Sequence, residues 1–151
     1  MPTARRGFTL LELLIVVAIV ALASAVSTLA LRDPDATRLE REALRLATLL
    51  DAARAQSRAM GTAITWRPAT AERRSSADFE FTGLPPGQQL PTRWLGSPGQ
   101  PPVQVELPPG SRELLLGPEP VIGAQRLLLR LDQQRAVLTT DGLGPFRLEA
   151  P

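Results

Sequence analysis

The chain has 151 residues, with 17 basic side chains against 15 acidic ones, all of the basic ones Arg, and it contains neither Cys nor His. Without Cys there is no disulfide, thiolate metal site or thiol nucleophile, and without His the commonest general base and zinc ligand are missing. The composition therefore points away from an enzyme, and no cofactor or metal is expected.

The first element in chain order is a short basic head followed by an apolar run. Arg5 and Arg6 precede Gly7, Phe8, Thr9, Leu10, Leu11 and Glu12, and residues 13–31 then carry no charge. Those residues would make a helix of about 28 Å, close to the ~30 Å hydrocarbon core of a bilayer. A positive flank stays on the cytoplasmic side, which places the bulk of the chain across the membrane. Glu12 stands out, because an ionisable group in such a segment costs a few kcal/mol and usually has a partner or a function.

These residues resemble the leader of the type IV pilin and type II secretion pseudopilin superfamily, in which a basic leader ends in Gly, Phe follows, and Glu sits four residues after the Phe. The resemblance implies cleavage between Gly7 and Phe8 by a prepilin peptidase and N-methylation of the new Phe8 amine. In a packed bundle of such helices, Glu12 of one subunit can pair with the Phe8 amine of its neighbour. That pairing offsets the burial of both charges and sets the axial register. Two plainer readings compete. One is a secretory signal with cleavage after Ala23 or Ala25, read from Ala21-Leu22-Ala23 and Ala23-Ser24-Ala25. The other is a simple single-span anchor. Glu12 at the start of the apolar run, where such signals avoid acids, and the continuation of that run past Ala25 to Leu31 count against the first.

Arg5 and Arg6 account for the formal charge of +2. The remaining 15 Arg balance 15 acids, which argues against a nucleic-acid partner. Arg73 and Arg74 read as a solvated loop rather than a basic patch.

Residues 32–35, Arg-Asp-Pro-Asp, interrupt the first helix by either a kink or a brief break: Pro34 disfavours a helical Asp33, and Asp33 could instead cap a new helix with Pro34 at its first position. The second helix is expected over 36–60. Leu39, Ala43, Leu46, Leu50, Ala53 and Met60 fall on one face as its packing stripe. Arg38, Glu40, Arg41, Glu42, Arg45, Asp51, Arg54 and Arg58 fall on the other, with Glu42–Arg45 and Asp51–Arg54 three apart as candidate pairs. Gly61 is the expected C-cap.

Beyond it, short strands are expected at 62–67, 78–82, 103–107, 112–116, 126–131 and 135–140, with a hairpin across Asp132-Gln133-Gln134. Residues 83–102, rich in Pro and Gly, read as a long surface loop whose Trp94 plugs the core. The ending Asp141-Gly142-Leu143-Gly144-Pro145 demands a tight turn and is not a phosphate loop.

The amphipathic helix and the residue 141–146 ending are similar to the H-type minor pseudopilins of type II secretion, in the family shared with FimT/FimU-type minor pilins. The resemblance implies an α+β, pilin-like fold: a long N-terminal helix, with a membrane half and an amphipathic half, packed on a C-terminal antiparallel β-sheet region. It divides the chain into a leader (1–7), a transmembrane assembly helix (8–31) and a periplasmic domain (32–151, with β structure from 62). The location implied is the bacterial inner membrane and, after assembly, the tip region of a pseudopilus. The implied partners are major and minor pseudopilins, the prepilin peptidase and the inner-membrane assembly platform. A minor pilin of a type IV pilus and a secreted β-rich binding domain are the alternatives. The major pseudopilins bind calcium through an acidic C-terminal loop; residues 141–148 offer no comparable acid cluster.

Overall fold

The computed structural model describes residues 9–30, 33–96 and 99–149. It is α+β, with two helices followed by short antiparallel strands. The chain divides into two units, one ending at Asp33 and one running from Pro34.

The first unit contains α1 (Leu10–Ala30). Thr9 is its N-cap: the Glu12 N–H donates to the Thr9 hydroxyl at 3.3 Å and to the Thr9 carbonyl at 3.1 Å. Of the residues 32–35 expected to interrupt the helix, Asp33 is non-helical, and α2 (Pro34–Met60) starts two residues before the expected 36, with Pro at its first position. There the missing N–H removes no helical bond.

In the second unit Gly61 ends α2 at φ 64°. The Thr62 N–H reaches back to the Ser57 carbonyl at 3.2 Å, the six-to-one bond of a Schellman cap. This corrects the first expected strand. With Thr62 committed to the cap, pairing begins later, at β1 (Thr65–Pro68). The other strands are β2 (Phe79–Thr82), β3 (Gln104–Glu106), β4 (Leu114–Leu115), β5 (Gln125–Leu131), β6 (Gln134–Thr140) and β7 (Arg147–Leu148). They form a three-stranded sheet in the order β2-β1-β4 and a four-stranded sheet in the order β3-β5-β6-β7, antiparallel throughout. The expected β5–β6 hairpin forms, with a turn one residue tighter than the expected Asp132-Gln133-Gln134: Gln134 already pairs with Leu131, and Asp132 stands at φ 51°. β7 is too short for a periodicity to announce it.

α2 lies against β5, β6 and β7. Its Leu39, Ala43, Leu46, Leu50 and Ala53 are buried and join Leu127, Leu129, Leu131 and Leu138 of one sheet with Trp66, Phe79 and Leu114 of the other and Leu116 just after β4. Full burial of each Leu contributes about 1.5–3 kcal/mol. Met60 departs from the expected stripe and is 37 % exposed. The face is right, but after Ser57 every remaining residue of the helix is exposed; the last turn carries the stripe past what it packs on.

Residues 83–102 hold no strand or helix among the described residues, and the loop is pinned. The Asp78 and Phe79 N–H groups donate to the Thr92 carbonyl at 2.8 and 3.2 Å, and the Trp94 N–H donates to the Asp78 carboxylate at 2.8 Å. The Trp94 ring meets Phe79 edge-on at 4.8 Å, in the role of a plug. Arg73 is exposed but paired: Glu80 accepts from it at 2.9 Å and from Arg67 at 3.0 Å. Those two guanidinium bonds hold the Glu80 carboxyl below its ordinary range.

Candidate functional site

Two places concentrate features that packing alone does not explain. The first is α1. Its side chains from Leu10 to Leu22 are exposed all round, among them Leu10, Leu11, Leu13, Leu14, Ile15, Val17 and Leu22. A helix apolar on every face has no water-facing side and calls for an apolar surround. Glu12 is the one acid in this helix, in its first turn, and it is exposed. It sits three residues after the N-cap Thr9, in the Ser/Thr-x-x-Glu spacing of a capping box, where the positive end of the helix dipole favours a carboxylate. Sequence reasoning passed over Thr9, although this spacing was a signal in plain view. Among the described residues no helix is long and apolar enough to cross a membrane. The described side chains of α1 run from Leu10 to Leu22, about 20 Å of helix, short of a ~30 Å core. Gly7 and Phe8, the residues of the expected cleavage and methylation, lie outside the described residues, as does the rest of the 1–7 leader.

The second place is where α2 holds the C-terminal loop. Arg54 and Glu42 read from the sequence as solvent-facing; the structure buries both, at 2 % and 1 % exposure. Arg54 reaches into residues 141–145. Its Nη1 donates to the Gly144 carbonyl at 2.7 Å and its Nη2 to the Gly142 carbonyl, with the Leu143 and Pro120 carbonyls at 3.4 Å. It is thus an ion solvated by main-chain oxygens. The expected Asp51–Arg54 bridge does not form among the described residues. Asp51 instead accepts from the Phe146 N–H at 3.1 Å, and burial pushes its carboxyl above the ordinary range against the opposing pull of that bond and of Arg54 and Arg58. Glu42 does pair with Arg45, at 3.8 Å, but its second task is long-range: it accepts from the Leu95 N–H at 2.6 Å.

The loop needs this support because it is tightly wound. The Asp141 carboxylate accepts from the Leu143 and Gly144 N–H groups at 2.9 and 2.7 Å, and these bonds hold its carboxyl below the usual range. The Thr140 hydroxyl accepts from the Gly142 N–H at 3.0 Å and donates to the Gly144 carbonyl at 2.9 Å. Gly142 stands at φ 88°, and a Cβ there would fall 1.8 Å from the Ile122 carbonyl oxygen, so only Gly lets the two loops touch. Leu143 and Val121 are left exposed on their outer side. No group of three or more His, Cys, Asp or Glu that could hold a metal occurs among the described residues.

Residues 2–28 match the family model described as the prokaryotic N-terminal methylation motif, a type IV pilin-like prepilin leader. No curated protein and no solved structure matches the chain.

Proposed function

We propose that this chain is a structural subunit processed as a prepilin and built into a bacterial filament, and more narrowly an H-type minor pseudopilin at or near the tip of a type II secretion pseudopilus. The match of residues 2–28 to the N-terminal methylation motif carries the reading. The exposed apolar surface of α1 with its single acid supports it, as does an α+β domain in which an amphipathic helix packs on antiparallel sheet, the layout of a pilin-like fold. In this reading a prepilin peptidase cuts between Gly7 and Phe8 and the Phe8 amine is methylated. The uncharged run to Leu31 anchors the subunit in the inner membrane, with the domain from residue 34 in the periplasm. The new amine then pairs with Glu12 of a neighbour. The partners are major and minor pseudopilins and the inner-membrane assembly platform, and the chain works without catalysis or a cofactor.

The test is N-terminal mass spectrometry of the protein purified from its host. A chain that starts at a Phe8 heavier by one methyl group is expected; one starting at Ser24 or Val26, or an uncut leader, sinks the proposal. Glu12→Leu is expected to leave the domain folded and to stop incorporation into filaments. Loss of protein secretion on deletion distinguishes the pseudopilin from a minor pilin, whose loss affects motility or transformation.

A further inference from the structure

β4 is the last strand of its sheet, and its free side carries main chain that the ladder does not use. The Leu116 N–H donates to the Ile64 carbonyl at 2.8 Å. Bonding residues alternate along an antiparallel pair, so Leu115, opposite Thr65, turns its own N–H and carbonyl away from β1. The carbonyl accepts from Gln125 Nε2 at 2.6 Å, a side-chain amide standing where a neighbouring strand would place a main-chain N–H. Gln125 Oε1, the other half of that amide, is buried with no donor among the described residues. A buried acceptor in that state costs about 1–3 kcal/mol, which an incoming N–H would recover.

The start of β5 forms the other wall. The Glu149 N–H donates to the Val137 carbonyl at 2.8 Å, so Val137 faces β7. Leu128, opposite Val137, therefore faces β3, and so does Arg126 two residues earlier. β3 meets β5 only from Arg130 to Leu128. The same register would set Pro108 across from Arg126, and a proline has no N–H to give to the Arg126 carbonyl. Leu115, Gln125, Arg126 and Pro108 all line one cavity of about 290 Å³. Its charges do not define it, since the Arg126 guanidinium is paired with Glu149 at 3.2 Å and Glu113 is exposed. What the walls offer is a main-chain donor at Leu115 and acceptors at Gln125 and Arg126. An extended polypeptide carries N–H and carbonyl groups in alternation along both of its edges and can answer both kinds, whereas a simple anion or cation answers one. Leu115 is 46 % exposed beside the slot and offers an apolar contact.

We propose that the slot between β4 and the start of β5 takes up an extended segment of a second polypeptide by strand addition, its main chain bonded to Leu115 and Gln125 and an apolar side chain resting on Leu115. The inference stands on geometry within the second unit and does not require the filament reading. The test uses the full chain, isotope-labelled in detergent micelles, and follows the Leu115 and Arg126 N–H and the Gln125 side-chain amide by NMR. The probe is the uncharged blocked peptide N-acetyl-Thr-Val-Thr-N-methylamide. Saturable shifts at these three groups with a Kd of about 1 mM are expected. The counterpart with N-methylated Val and Thr amides keeps the side chains but cannot donate, and should bind about tenfold more weakly. Leu115→Pro removes an N–H that β1 does not use, a change that edge strands tolerate, and should abolish the shifts. Leu115→Ala keeps that N–H and should retain part of the binding. Core amides unchanged in both variants show that each folds. The absence of saturation overturns the proposal. So does equal binding of the N-methylated peptide to the unaltered chain, because the contact would then be apolar adhesion rather than strand pairing.

Discussion

Replacing Arg54 with Met tests whether a buried cation is what holds the C-terminal loop to α2. The variant keeps most of the side-chain volume and removes the guanidinium. Two of its bonds are short, to the Gly144 and Gly142 carbonyls, and two are long. Hydrogen bonds to a charged group contribute about 1.5–3 kcal/mol each, so the two short ones give a gross loss of ~3–6 kcal/mol. Two effects reduce it. Each of these carbonyls keeps another donor: the Thr140 hydroxyl on Gly144 and the Ile122 N–H on Gly142. The desolvation of a buried ion, several kcal/mol, is also relieved. A net destabilisation of about 1–3 kcal/mol remains, which at roughly 4 °C per kcal/mol lowers Tm by ~4–12 °C. The loss is expected to be local first. Hydrogen exchange on the full chain should show the amides of Ile122, Gly142 and Phe146 losing protection well before those of β1 and β2. Arg54→Met with wild-type Tm and unchanged exchange at Phe146 would refute the reasoning, since the loop would then be held by its own Asp141 and Thr140 bonds.

Leu50→Ala, at a fully buried position, should cost about 2–5 kcal/mol in thermal unfolding, whereas Leu143→Ala, at 68 % exposure, should stay within ~0.5 kcal/mol; comparable losses at both would contradict the core assignment. Gly142→Ala should destabilise more than Leu143→Ala, because it combines a positive φ with a clash on the Ile122 carbonyl; wild-type stability would show the two loops to be apart. The pH response separates two carboxylates. Asp141, held low by the Gly144 and Leu143 N–H groups, contributes stability that is present above its ordinary value of 3.8 and lost as the pH falls through its depressed one. Asp51, raised by burial, acts with the opposite sign: the folded state binds its proton more tightly, so its contribution falls as the pH rises just above 3.8. Asp51→Asn should therefore leave stability at pH 7 equal or higher and flatten that part of the pH profile; a clear loss at pH 7 in a chemical denaturation series would show the sign to be wrong.

Much of the architecture is legible in local pattern. The leader spacing, the break at Asp33-Pro34, the stripe from Leu39 to Ala53, the Gly61 cap and the Asp132-Gln133 hairpin each follow from a few neighbouring residues. Backbone dihedrals, helix periodicity and turn chemistry are local quantities, so the chain states them directly. The strands are less legible. β4 and β7 are two residues long and exist because β1 and β6 offer them partners, not because of any preference of their own. Long-range partnership was hidden altogether. By helical spacing Glu42, Asp51 and Arg54 belong to a solvated face, and only the folded chain reveals that Leu95, Phe146 and the carbonyls of residues 142–144 come down on that face to meet them. A charge's environment depends on segments 53 to 95 residues away, and no periodicity encodes that distance. The sequence alone therefore determined how the chain begins, with Gly7, Phe8 and Glu12 in the order of a methylation motif. Tertiary structure decided which of its later charges are buried and which loops they hold.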